Sequence, residues 1–148
     1  MIISMNKRTK TRATAVVIKG NQTLLIHRRN ENEYYVFPGG GVEEGETSEC
    51  AVLRELKEET SIEVKLVKLL EHMLYDDGRE NFSYLCEFIS GNPRLADDSP
   101  ERLEMKKGVQ YYDPIWMDID KLSNMENVYP DTAKRALIQY YTNQKTFN

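Results

Sequence analysis

The segment from Phe37 to Val64, FPGGGVEEGETSECAVLRELKEETSIEV, restricts the fold more than any other part of the chain. Pro38 and the glycines Gly39, Gly40 and Gly41 are expected to interrupt regular structure. Gly45-Glu46-Thr47 then reads as a helix start, with Thr47 as N-cap and a helix over Ser48–Thr60. Val52, Leu53 and Leu56 supply its apolar stripe. Beside that stripe, at the boundary with solvent, stand Glu55, Glu58 and Glu59. Residues three and four apart share a helix face, and like charges at that spacing cost about 0.2–0.5 kcal/mol per pair. A hard divalent cation, Mg²⁺ or Mn²⁺, accounts for three carboxylates held together, because it takes carboxylate oxygens. Arg54 precedes Glu58 by four residues and can pair with it.

The spacing carries a resemblance. Gly40, Glu46, Arg54, Glu55, Leu56, Glu58, Glu59, Ser61 and Ile62 follow the order of the Nudix box. That pattern is glycine, five residues, Glu, seven residues, then Arg-Glu-aliphatic-any-Glu-Glu-any-Gly-aliphatic. Eight of the nine defined positions match, and Ser61 replaces a glycine. Average residue frequencies put a chance match on the order of one in ten million per starting point. The pattern's glycine would sit just past the helix end, where a left-handed residue is common. A serine there costs about 1 kcal/mol if the backbone keeps φ > 0.

The resemblance implies the Nudix fold, an α/β domain of the α+β type. In it a mixed β-sheet is sandwiched between helices and the box forms a loop–helix–loop. The activity it implies is hydrolysis of the diphosphate of a nucleoside diphosphate linked to another moiety, by water attack at phosphorus. A diphosphate repels nucleophiles, so bound cations must neutralise charge and help deprotonate water. Glu55, Glu58 and Glu59 are then the metal ligands, joined by the Gly39 carbonyl, with Mg²⁺ or Mn²⁺ as cofactor. Glu55 is also the candidate for orienting or deprotonating water. Arg54 serves catalysis by pairing Glu58 and approaching Glu46; Glu46 and Ser61 are structural within the box. Gly40 and Gly41 lie on the substrate side. Glu101, after Ser99-Pro100, resembles an acid that enters the site from a later loop in relatives, with Glu104 second and a solvated loop acid as the alternative. Arg28 and Arg29, at a strand end, either reach a phosphate or face solvent. A catalytically silent Nudix-fold nucleotide-binding or regulatory module is the other reading, and the intact glutamates weigh against it.

A net charge of −4 argues against a general nucleic-acid binder, DNA included, without excluding one basic pocket for a polyanionic small molecule. The 148 residues fit a single domain over 1–148, with 1–10 a loose start. No apolar run approaches the ~20 residues of a membrane span. No signal peptide is visible, so a cytoplasmic protein is expected, and a homodimer is possible. Cys50 and Cys86 are too few for a disulfide framework and are expected as reduced, partly buried thiols. His27 and His72 lack ligand-like spacing and are expected to pack or to lie at the surface.

Local patterns set out the other elements. Arg12–Lys19 and Thr23–Arg28 read as a hairpin about Gly20-Asn21. Residues 62–74 are ambiguous, with the alternation of Ile62, Val64 and Leu66 favouring a strand. Asn81–Ser90 reads as its partner beyond the Asp76-Asp77-Gly78 turn. Tyr111–Ile119 reads as a strand with Trp116 as core anchor, placed at an edge or bulge by Pro114. Asp120–Leu122 reads as a helical turn. Asp131 is expected to cap a last helix running through Tyr141, with Ala133, Ala136, Leu137, Tyr140 and Tyr141 as its apolar stripe. Tyr34, Tyr35 and Tyr84 are candidates for base stacking, with core packing the better reading for most tyrosines. The window Asp77-Gly78-Arg79-Glu80 lacks the proline or tyrosine that marks ADP-ribose or diadenosine polyphosphate subfamilies. Nucleotide sugars, nucleoside triphosphates and capped RNA all stay open.

Overall fold

The computed structural model describes residues 8–94 and 111–146. In chain order these form β1 (Arg8–Lys19), β2 (Gln22–Arg29), β3 (Glu33–Val36), β4 (Gly39–Glu43), α1 (Ser48–Thr60), β5 (Glu63–Leu74), β6 (Glu80–Ser90), β7 (Tyr111–Asp118), β8 (Val128–Tyr129) and α2 (Asp131–Thr146). A 3₁₀ turn, Ile119–Asn124, joins β7 to the segment before β8.

The strands make one mixed sheet in the order β5-β6-β1-β2-β3-β8. β4 adds to the first half of β1 and β7 adds to β2. The β1–β6 pair is parallel, with Thr11 opposite Glu80 and Arg12 opposite Asn81, whereas β1–β4 is antiparallel, with Ala13 opposite Gly40 and Thr14 opposite Gly39. β1 therefore has a neighbour along both edges at the level of the glycines.

Alternation along β1 sorts its side chains to two cores. Ala13, Ala15 and Val17 pack with Val52 and Leu56 of α1, while Val16 packs with Leu122, Val128, Ala133 and Leu137 on the α2 side. A mixed sheet between helices is the expected architecture. No helix among the described residues is long and apolar enough to cross a membrane.

Several expectations need correction. β1 starts at Arg8, since the backbone continues into the pairing with Glu43 of β4, so residues 8–10 are strand and not a loose start. The glycine run does not end regular structure: Gly39–Glu43 is a strand, because β1 offers it an open edge. Residues 63–74 are strand throughout, as the alternation favoured; register shifts after Glu63, Leu66 and Leu69 blur that alternation in the sequence. Leu53 is exposed, so the buried stripe of α1 is Ala51, Val52 and Leu56. Trp116 is only partly buried, lying edge-on to Phe88 at 5.3 Å between ring centroids. Asp131 is the first residue of α2, not its cap; its carboxylate pairs with Arg135 at 2.7 Å, and the helix runs on to Thr146. Cys50 is exposed, and Cys86 alone is buried.

Other readings hold. α1 spans Ser48–Thr60, and the Thr47 hydroxyl accepts from the Cys50 N–H at 3.1 Å. Pro114 lies on β7, which among the described strands pairs with β2 alone, an edge position that tolerates proline. Ser61 adopts φ 61° and ψ 16°, the left-handed conformation of a helix end.

Candidate active site

Arg54 organises the box. Its Nε and Nη2 donate to the two carboxylate oxygens of Glu46 at 2.8 and 2.9 Å, a bidentate pair. Nη2 also donates to the Gly41 carbonyl at 3.0 Å, and Nη1 to Glu55 Oε1 at 2.9 Å. Glu58, the expected partner, is farther at 3.8 Å. One guanidinium thus ties the loop before α1, strand β4 and the helix itself. The hydrogen bond from Arg54 holds the Glu46 carboxyl below its ordinary pKa, and the bond to Glu46 raises that of Arg54.

The three glutamates of α1 differ in environment. Glu55 and Glu59 are buried, with 4 % and 6 % of their surface exposed, whereas the side chain of Glu58 is 42 % exposed. The expected boundary position therefore holds for Glu58 alone. Burial of the other two is possible because donors meet them: Arg54 at Glu55, and the Gly39 N–H at Glu59 Oε1, 2.9 Å. Gly40 is required for the same reason. A Cβ there would collide with the Glu55 carboxylate.

All three glutamates, with Gly39 and Gly40, line a cleft of about 460 Å³. Arg28 also lines it, its Nη2 donating to the Tyr112 hydroxyl at 2.9 Å and its guanidinium 4.5 Å over the Tyr112 ring. Arg29 and Gly41 are not part of the lining; Gly41 instead serves Arg54 through its carbonyl. Glu101 and Glu104 lie outside the described residues. The proposed stacking residues do not line the cleft: Tyr35 stacks on His27, the Tyr84 hydroxyl donates to Glu49, and Tyr34 stands behind it, edge-on to Tyr129 at 6.3 Å with Arg28 5.4 Å over its ring. Tyr75, Tyr112 and Tyr129 line the cleft in their place. His72 stacks on Phe82 and sits 2.6 Å from Glu80, so both histidines pack as expected.

Comparison with protein families matches the NUDIX domain over residues 9–137. The chain belongs to the Nudix family. Its likeness to an ADP-ribose pyrophosphatase of Methanocaldococcus jannaschii is 36 % identity over 93 residues, covering 58 % of this chain and 55 % of that protein. Its likeness to an 8-oxo-dGTP diphosphatase of Escherichia coli is 37 % over 95 residues, covering 60 % and 74 %. The chain thus spans about half the length of the first of these relatives. Among solved structures, a MutT protein from Methanosarcina mazei superposes with a TM-score of 0.66 at 17 % identity, covering 96 % of this chain and 99 % of that one. That likeness concerns the fold.

Nudix hydrolases generally use divalent metal ions. In this Nudix domain the donor types suit a hard cation: carboxylate and backbone oxygens line the cleft together. Yet no three His, Cys, Asp or Glu side chains among the described residues converge to hold one. The reason is visible in the hydrogen bonds. Glu55 leans to Arg54 and Glu59 to the Gly39 N–H, so side-chain rotation is needed to bring their oxygens together.

Sequence reasoning missed the far wall of the cleft. Lys10, Arg12 and Thr14 share one face of β1, and Arg79 and Asn81 flank them from β6 and its approach. The signal was present as Arg8, Lys10 and Arg12 at alternate positions, a strand period that runs from residues 1–10, expected to be loose, into the strand expected from Arg12.

Proposed function

We propose that this Nudix domain is a metal-dependent pyrophosphohydrolase. It would cleave the diphosphate of a nucleoside diphosphate linked to another moiety, through water attack at phosphorus. The observation that carries this reading is the placement of the box. Two buried carboxylates and one exposed carboxylate open onto a 460 Å³ cleft that also presents Lys10, Arg12, Arg28 and Arg79. Acids to hold a cation and bases to hold phosphates in one cleft suit phosphoryl chemistry, which relies on positioning and charge stabilisation. The diphosphatase and pyrophosphatase names of the curated relatives support it.

Glu55, Glu58 and Glu59, with the Gly39 carbonyl, would hold Mg²⁺ or Mn²⁺. Once bound, the ion supplies charge neutralisation and lowers the pKa of a bound water. Arg54 keeps Glu55 and Glu46 in register with β4. Glu55 would orient water or accept its proton, a reading supported by its carboxylate sitting against Gly40 in the cleft. Arg28 is held by Tyr112 at a position from which it can meet a phosphate. One domain, a cytoplasmic location and a small-molecule substrate complete the reading.

The test is release of a nucleoside monophosphate or of phosphate from a panel of nucleoside diphosphate derivatives with Mg²⁺ or Mn²⁺. Turnover lost in Glu58→Gln and Glu55→Gln supports the reading. Near-normal turnover in both variants removes the carboxylates from the chemistry, and binding without release across the panel restores the silent module.

A further inference from the structure

We propose that the cleft takes a nucleoside triphosphate, its outer phosphates held by Arg12, Lys10 and Arg79, in preference to a diphosphate capped at both ends. The proposal rests on the reading that the carboxylate end of the cleft receives a diphosphate.

The order of side chains across the sheet carries it. Gly39 and Gly40, beside Glu55 and Glu59, lie on β4 opposite Thr14 and Ala13 of β1. Arg12 comes next along β1, opposite Gly41 on one edge and Asn81 on the other. Lys10, two residues before Arg12 on the same strand, lines the same cleft. Arg79 sits just before β6, whose Glu80 is opposite Thr11. The cations thus form a run that leaves the carboxylates and heads toward the β6 side. The other rim, on the β3–β8 side, presents Tyr129, which is half exposed and offers a face to a base. A nucleotide with its base at Tyr129 and its first phosphates at the glutamates directs any further phosphate to Arg12.

Charge says which ligand needs that run. The chain carries a net −4, and its cleft already holds Glu55, Glu58, Glu59 and Glu80. Arg28 is engaged by Tyr112, and Arg79 by Asp77 at 2.7 Å. Arg12 is exposed, and its side chain makes no hydrogen bond or ion pair among the described residues. Lys10 is exposed too and is felt by Asp77 only through space. A terminal phosphate carries about 1.5 to 2 negative charges at neutral pH, while each phosphate of a capped diphosphate carries a single charge and has no end to present. Cations beyond the glutamates therefore discriminate by the presence of a terminal phosphate.

The experiment is calorimetric binding, in Mg²⁺ buffer, of an α,β-methylene nucleoside triphosphate, the matching monophosphate and ADP-ribose with a methylene-bridged, non-cleavable diphosphate. For wild type we expect the triphosphate at least tenfold tighter than either of the others, with the gap narrowing as salt rises. In Arg12→Gln and in Lys10→Gln/Arg12→Gln the triphosphate-to-monophosphate affinity ratio should fall at least tenfold. Circular dichroism checks that both variants fold, and the wild-type ratios test the proposal without them. ADP-ribose bound as tightly as the triphosphate, or a ratio unchanged by both variants, overturns it. The same group ends some RNA chains, so a 5′-triphosphorylated tetranucleotide is the further arm; tenfold tighter binding than the mononucleotide would overturn the free-nucleotide assignment. Binding is read apart from turnover. A protein that shows the ratios but releases no product refutes the hydrolysis reading alone.

Discussion

Arg54 spends all its donors' directions on one task, which makes it the residue with most to lose. Four hydrogen bonds join it to Glu46, Gly41 and Glu55. Lysine keeps the charge but not the fork, so Arg54→Lys should lower stability by about 1–3 kcal/mol, read from denaturant midpoints at unchanged m-value. Its partner gives a pH signature. The folded pKa of Glu46 is lowered, chiefly by the Arg54 hydrogen bond. A carboxyl with a depressed folded pKa contributes stability above its unfolded value, about 4.3 for Glu, and loses it as pH falls through the folded value. The destabilisation caused by Glu46→Gln should therefore be full near pH 7 and shrink as the pH drops below about 4.3. A pH-independent difference would place the role of Glu46 in packing. The thiols make a simpler contrast. Cys50 is exposed, while burial pushes the Cys86 thiol up to about 12. Native protein should react with one equivalent of a thiol reagent at Cys50, and Cys86 should react only on unfolding.

The helix end shows what a one-letter pattern can and cannot tell. The substitution of serine for glycine at position 61 pointed to a left-handed residue under strain, and the φ of 61° agrees. The pattern could not show the compensation: Ser61 Oγ donates to the Arg94 carbonyl at 2.8 Å, while the Arg94 N–H donates to Thr60 O. The serine fastens the segment after β6 to the end of α1. Glycine relieves about 1 kcal/mol of backbone strain and gives up a hydrogen bond of about the same worth. Ser61→Gly should accordingly stay within about 0.5 kcal/mol of wild type, whereas Ser61→Ala, which loses the bond and keeps the strain, should be less stable by about 1 kcal/mol. Equal effects would show that the hydroxyl contributes nothing. Within α1 the start, the end and the cap were legible because they depend on neighbours in sequence. The exposure of Leu53 and the burial of Glu55 and Glu59 were not, because they depend on β4 lying across the helix, and β4 was hidden in a run of glycines.

The sheet brings together residues that no local reading can join. Glutamates from α1 share a cleft with Lys10 of β1 and Arg79 before β6 because β1 pairs with β4 on one edge and β6 on the other. The acidic half of the site was legible from a short motif; the basic half needs a parallel pairing between segments some seventy residues apart, which leaves only an alternation of charge in the sequence. The acidic half also sets a cost. Glu55, Glu58 and Glu59 repel one another on a single helix, and the side chains relieve this by turning Glu55 to Arg54 and Glu59 to Gly39. A divalent cation that gathers them binds the folded chain and not the unfolded one, so it should stabilise by mass action, about 2.7 kcal/mol at a concentration one hundred times its dissociation constant. Melting temperature should therefore rise with added Mg²⁺ and return on chelation. Glu58→Gln is the informative variant, because its exposed side chain has no buried contact to lose: without metal it should melt at or above the wild-type temperature, and with Mg²⁺ it should gain much less. A wild-type melting temperature indifferent to Mg²⁺ and Mn²⁺ would mean that the carboxylates stay with Arg54 and Gly39 and gather no cation.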